Sequence, residues 1–92
     1  MADVLVKLRI MPTGTDIDLN EVQKACETKI KSFGSKGMPS VKQEPIAFGL
    51  KALVFVFMID EKISNMEHLE NNIKAIAGVA SAEVVDVRRA LG

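Results

Sequence analysis

Between Leu50 and Ile59 the chain reads LKALVFVFMI, and both alternating sets are apolar. Leu50, Ala52, Val54, Val56 and Met58 form one; after Lys51, Leu53, Phe55, Phe57 and Ile59 form the other. A strand apolar on both faces belongs in the interior of a sheet. Asp3 to Met11 alternates differently, with Val4, Val6, Leu8 and Ile10 on one face and Leu5, Lys7, Arg9 and Met11 on the other, which predicts a strand with one wet face. Past the break at Pro12-Thr13-Gly14 the period changes. Leu19, Val22, Cys26, Ile30 and Phe33 recur at helical spacing, with Asn20, Lys24, Glu27 and Lys31 turned to water, and Asp18 followed by Glu21 resembles a capping box. Ser64 with Glu67 repeats that signal ahead of a second stripe, Met66, Leu69, Ile73 and Ile76, which Gly78 should stop. Two shorter runs complete the pattern. Val41 to Glu44, bracketed by Pro39 and Pro45, reads as a short strand at a sheet edge, because proline cannot donate a ladder hydrogen bond. Val79 to Arg89 reads as a last strand with Val85 and Val87 on one face and Val84 on the other, beside Asp86.

The order strand, helix, strand, strand, helix, strand predicts an α+β fold of the ferredoxin-like, split β-α-β (βαββαβ) kind. Its sheet has four antiparallel strands, the first and third central, with both helices on one face. Residues 1–92 are expected to form a single domain, since no linker or low-complexity stretch interrupts the order. Val4, Val6, Leu8, Ile10, Val22, Cys26, Ile30, Phe33, Leu69, Ile73 and Ile76 are the expected core, joined by Val54 and Val56 if that set of the third strand faces inward. The opposite sheet face is left open, and the two-sided third strand makes part of it apolar enough for a partner or for self-association.

Charge narrows the function classes. Twelve Lys and Arg balance twelve Asp and Glu, so no net field points to nucleic acid. The first strand also lacks the aromatics that RNA-binding sheets of this topology use. Charges at Asp3, Lys7 and Arg9 interrupt what a signal peptide would need, and no apolar run approaches membrane-spanning length, which leads us to expect a cytoplasmic protein with no membrane partner. Gly34-Ser35-Lys36-Gly37 is not a phosphate loop: it follows a helix and leads to Pro39, the reverse of the strand-loop-helix context such a loop needs. His68 stands alone on a helix surface, and Cys26 lies on an apolar stripe with no base nearby, so neither a metal site nor a nucleophile is expected. Asp16, Asp18, Asp60 and Glu61 fall at turns and helix starts, where carboxylates cap and oppose helix dipoles. No catalytic residue and no cofactor follows from these patterns.

The corner before the long strand is the exception to this plainness. Pro45 has a fixed φ and Gly49 permits a positive one, so Ile46-Ala47-Phe48-Gly49 reads as the turn between the two paired strands, with Phe48 at its tip. A phenylalanine there either folds back over the end of the core or is presented as an anchor for a partner.

The same segment carries a resemblance. EPIAFGLKALVFVFMIDE, followed by a helix and a strand ending VVDVRR, resembles the guanine-nucleotide exchange domain of translation elongation factor 1-beta in its short archaeal form. The likeness runs from DVLVKLRIMP to DVRR and is most specific at Pro45, Ile46, Phe48, Gly49, Leu50, Lys51 and Leu53. It implies the ferredoxin-like fold already read from periodicity. It also implies an exchange factor for elongation factor 1-alpha, the GTPase that delivers aminoacyl-tRNA, with no chemistry of its own, no bound cofactor or metal, and no nucleotide held by this chain. On that resemblance the partner-binding residues are Pro45, Ile46, Phe48, Gly49, Lys51, Arg88 and Arg89. Phe48 would match the aromatic that enters a pocket on the GTPase. One departure concerns the end of the chain. Eukaryotic members place a lysine next to their last residue at the magnesium site, whereas alignment through Asp86-Val87 leaves Gly92 there. Arg88 and Arg89 then replace that lysine, contact the GTPase elsewhere, or solvate the strand end. Contacts made by the eukaryotic N-terminal extension are not implied. From another class, an ACT-like regulatory domain that binds an amino acid near Pro12-Thr13-Gly14 fits the same topology; an acylphosphatase-like enzyme fits less well, for want of the arginine and asparagine its phosphate loop needs.

Overall fold

The computed structural model describes residues 3–63 and 65–90. In chain order it has β1 (Asp3–Pro12), α1 (Leu19–Phe33), β2 (Ser40–Pro45), one turn of 3-10 helix (Ala47–Gly49), β3 (Lys51–Asp60), α2 (Met66–Lys74) and β4 (Val79–Ala90). The strands form one antiparallel sheet in the order β2-β3-β1-β4. This is the ferredoxin-like βαββαβ arrangement, with β1 and β3 in the centre.

Register decides which side of β3 meets the helices. Val6 lies opposite Phe57, Leu8 opposite Phe55 and Ile10 opposite Leu53. Directly paired residues share a face, so the apolar face of β1 commits Leu53, Phe55, Phe57 and Ile59 to the same side. They are buried there with Val22, Cys26 and Ile30 of α1 and Leu69 and Ile73 of α2. Both helices therefore cover one face. Val54 and Val56, the alternative inward set, point the other way. Val4, Phe33 and Ile76 are half-buried at the core's margin rather than within it. Ala52 and Val54 are buried on the helix-free face nonetheless. In register, Val54 is flanked by Arg9 on β1 and Lys42 on β2, whose aliphatic stems can cover apolar surface while their charges stay wet. The middle of the open face is thus charged at its surface and not a bare apolar patch.

The helix ends follow local chemistry, with two corrections to the sequence reading. At α1, Asp18 accepts the Asn20 backbone N–H at 3.0 Å, satisfying one of the donors a helix start leaves unpaired. At α2 the helix opens at Met66 with Asn65 in the N-cap position and no side-chain capping bond; Ser64, the expected cap, lies outside the described residues. The helix also stops at Lys74, short of Gly78. The Ile76 N–H reaches the Ile73 carbonyl at 3.0 Å, a tighter three-residue step that closes the last turn.

β4 holds an irregularity that the alternation did not show. Lys7 pairs with Asp86, but Leu8 pairs with Val84, so Val85 is an extra residue in a β-bulge. Val84 thereby turns toward the core, while Val85 lines a cleft on the open face with Lys7, Arg9 and Asp86. Val87 sits opposite Val6 on the helix side, so Val85 and Val87 do not share a face as expected. The Val84 N–H donates to Glu70 Oε2 of α2 at 2.8 Å, which supplies an acceptor beside the bulge.

Candidate functional site

The corner between β2 and β3 is short and closed. The Ile46 N–H donates to the Leu50 carbonyl at 2.9 Å, and the Leu50 N–H returns to the Ala47 carbonyl at 3.2 Å. Pro45 ends β2 opposite Lys51, the first residue of β3. Reversing the chain within this space takes two successive left-handed residues. Gly49, at φ 76°, adopts that conformation without penalty. Phe48, at φ 62° and ψ 29°, does not, since a left-handed conformation costs a residue bearing a Cβ about 1–2 kcal/mol. Nor does burial compensate the phenyl ring, because Phe48 is 94% exposed. It does not fold back over the core.

Tertiary structure brings the β1–α1 loop, residues 13–18, beside this corner. A Cβ built on Gly49 would lie 3.7 Å from Thr15 Cγ2. Gly14, Thr15, Ile17, Leu50 and Lys51 line the cleft between the two segments. Lys51 is exposed at its mouth, on the helix side of the sheet by register. The sequence reading did not place these segments together; its one hint was the turn signal Pro12-Thr13-Gly14.

Arg88 and Arg89 sit elsewhere. Arg88 lies opposite Leu5, which lies opposite Met58. The length of β3 from Lys51 to Met58 therefore separates it from the corner, on the order of 20 Å at about 3.3 Å per residue. Adjacent on a strand, the two arginines point to opposite faces: Arg88 shares the open face with Leu5, and Arg89 shares the helix side with Val4. Each has a carboxylate partner. Arg88 Nε donates to Asp86 Oδ2 at 2.7 Å, and Arg89 Nη2 donates to Glu61 Oε2 at 2.9 Å. Of the sequence-selected residues, then, Pro45, Ile46, Phe48, Gly49 and Lys51 come together, and the arginines do not join them.

Neither the corner nor the β1–α1 loop beside it contains a histidine or a cysteine. Cys26 is fully buried, and burial pushes its thiol up to about 12, with the neighbouring Glu27 charge adding to the shift, so it carries no thiolate at neutral pH. His68 is exposed on α2. Among the described residues, no three His, Cys, Asp or Glu side chains are placed to hold a metal ion, and no helix is long and apolar enough to cross a membrane. What the corner offers is a rigid apolar knob with a cation beside it, which suits recognition rather than bond-making.

Comparison with known proteins identifies the family. The family model described as the EF-1 guanine nucleotide exchange domain matches residues 5–90. Among curated relatives, the elongation factor 1-beta of Staphylothermus marinus is 40% identical over 91 residues, covering 97% of this chain and 98% of that protein. That of Methanosarcina barkeri is 36% identical, with 97% and 99% covered, and that of Methanoregula boonei 34%, with 95% and 96% covered. Coverage on both sides reaches from β1 to β4, so the similarity is one of whole folds and not of the corner alone, and the chain belongs to the EF-1 guanine nucleotide exchange domain family.

Proposed function

We propose that this chain, acting as one module over residues 1–92, promotes GDP release from translation elongation factor 1-alpha in the cytoplasm and so allows GTP to rebind during protein synthesis. Family membership supports an exchange role for an elongation factor. The observation that carries the residue assignment is Phe48: a phenyl ring 94% exposed, on a left-handed backbone, contributes nothing to this fold that a glycine would not. Its reward lies outside the chain, in an apolar pocket on the GTPase. Pro45, Ile46 and Gly49 hold the knob in place, so little conformational entropy remains to be lost on docking. Lys51 supplies a cation at its base. Arg88 and Arg89 are secondary contacts, and their opposite directions let one partner surface engage only one of them.

Exchange of this kind is binding chemistry. A factor that holds the GTPase in a shape with poor grip on magnesium and phosphates weakens nucleotide binding, and by linkage bound nucleotide weakens the factor to the same degree. The chain forms no covalent bond and binds no nucleotide itself. It speeds release without favouring GDP or GTP, and cellular GTP determines which one rebinds. Release of a fluorescent GDP analogue from the cognate GTPase, with and without this protein, is the direct test. Catalytic amounts should accelerate release by orders of magnitude; an unchanged spontaneous rate at saturating protein would sink the proposal.

A further inference from the structure

The Phe48 knob is not alone at its end of the sheet. A second and larger cleft, of about 530 Å³, opens between the start of α1 and the turn joining α2 to β4. Its floor is apolar, formed by Ile17, Val22 and Ile76. Ile17 also lines the cleft beside Gly49 and Leu50, so a continuous surface runs from the Phe48 corner to this groove. The groove is built tightly at one wall: a Cβ on Gly78, itself at φ 92°, would come within 3.1 Å of Ile17 Cγ2, and Ile17 would have to give by a few tenths of an ångström to admit it. Asp16, Asp18 and Glu21 stand on the rim, all exposed. None of the three ion pairs among the described residues involves any of them.

We propose that this groove is a second docking point for the elongation-factor GTPase, seating an apolar side chain flanked by lysine or arginine. The proposal rests on the exchange reading and adds the groove to the contacts named there. Charge complementarity selects the occupant. An apolar floor alone would accept any greasy side chain, but burying that floor under an uncharged segment would desolvate rim carboxylates that have no counter-ion among the described residues. Cationic neighbours on the incoming segment remove that cost and steer its approach. Two points also fix orientation. A phenyl ring does not by itself set an angle, whereas a groove beside it fixes, close to the anchor, the angle at which the exchanger meets the GTPase.

The test uses the full chain and the nucleotide-free cognate GTPase, with affinity measured at low and high salt. Asp16→Asn with Glu21→Gln removes charge without changing shape, and Ala77→Lys places a bulky cation at the exposed lip of the groove. Both variants should melt as the parent does. The neutralised pair should weaken binding about 3- to 10-fold at low salt and flatten its salt dependence, as expected for solvent-exposed rim charges that salt screens; Ala77→Lys should weaken it at both. Phe48→Ala is run in parallel. Should it lose affinity while both groove variants bind like the parent with an unaltered salt slope, the groove is overturned and the anchor stands. If Phe48→Ala also binds normally, the exchange reading of the corner has failed. Self-association that is weakened by the groove variants, with GTPase affinity unchanged, would give the groove to a second copy of this chain and overturn the proposal as well.

Discussion

The two ends of the sheet are built to opposite standards. At the end where β1 begins and β3 finishes, charges are matched within the chain: Lys36 with Asp3, Arg89 with Glu61 and, slightly further in, Arg88 with Asp86. There the Asp3 carboxylate, chiefly through its hydrogen bond, raises the pKa of the Lys36 ammonium. The α1–β2 loop is also tied to β3 there, through the Lys36 N–H and the Met58 carbonyl at 2.7 Å. At the other end, Phe48 is exposed on a strained backbone and the carboxylates of the β1–α1 loop have no cationic partner among the described residues. Exposed ion pairs contribute little stability. What they do achieve is to match charge at that end, where Leu5, Met38 and Val87 are nonetheless exposed, whereas the Phe48 end joins a nearly fully exposed ring on a left-handed backbone to negative charge left unmatched. On the function proposed above, the Phe48 end is an interaction site marked by what the fold leaves unsatisfied.

Substitutions can break that contrast or sharpen it. The largest effect is expected in the frame both ends share. Ile73→Ala, at a fully buried position of α2, should cost about 2–5 kcal/mol of stability and leave exchange per folded molecule unchanged when assayed well below the melting temperature. Reduced exchange by fully folded protein would mean that the ends and the frame are not separable. Next, Phe48→Ala should lose about 2–4 kcal/mol of GTPase binding, on the order of 30- to 1000-fold, with thermal melting nearly unchanged. A fully active but clearly destabilised Phe48→Ala protein would return the ring to a structural role. Phe48→Gly sharpens the point: relief of left-handed strain should raise stability by up to about 1 kcal/mol even as binding is lost, offset in part by the flexibility glycine adds to the unfolded chain.

At the paired end the effects are smaller. Arg88→Ala with Arg89→Ala should change stability by under about 1 kcal/mol, because both ion pairs are solvent-exposed. Nucleotide release should slow only a few-fold, with the loss confined to one of the two single variants, since the side chains face opposite ways. Equal losses from both would contradict the facing. The smallest effect near neutral pH concerns Cys26. Its folded-state thiol is raised from 9.0 to about 12, so the stability linked to its protonation is complete below pH 9 and is lost as pH rises from there through about 12. The native thiol should resist alkylation at pH 8 while the unfolded chain reacts, and Cys26→Ala should flatten the alkaline limb of the stability profile. Rapid native-state labelling at pH 8 would show that α1 opens more readily than its packing indicates.

Much of this architecture was legible in the sequence because periodicity reports directly on burial. The alternation of Val4, Val6, Leu8 and Ile10, the helical stripes ending in Phe33 and Ile76, and the two-sided apolar run from Leu50 to Ile59 sufficed for element order, sheet class and the central placement of β1 and β3. Gly49 and Pro45 marked the corner for equally local reasons, a tolerated positive φ and a missing donor. What the sequence could not decide was anything resting on pairing between distant strands. A strand apolar on both faces carries no information about which face meets the helices; register against β1 decided it for Leu53, Phe55 and Phe57. The bulge at Val85, which alternation cannot reveal, decided which valines of β4 face inward. Residue type left open whether Phe48 folds over the core or is exposed, and only the resemblance favoured exposure; its left-handed backbone came from the closed corner alone. Likewise the gap along β3 between Phe48 and the terminal arginines, and the meeting of the corner with the β1–α1 loop, are consequences of strand order. Local pattern fixes which residues avoid water; only the assembled sheet fixes which of them end up beside one another, because that depends on long-range register that no neighbouring residue encodes.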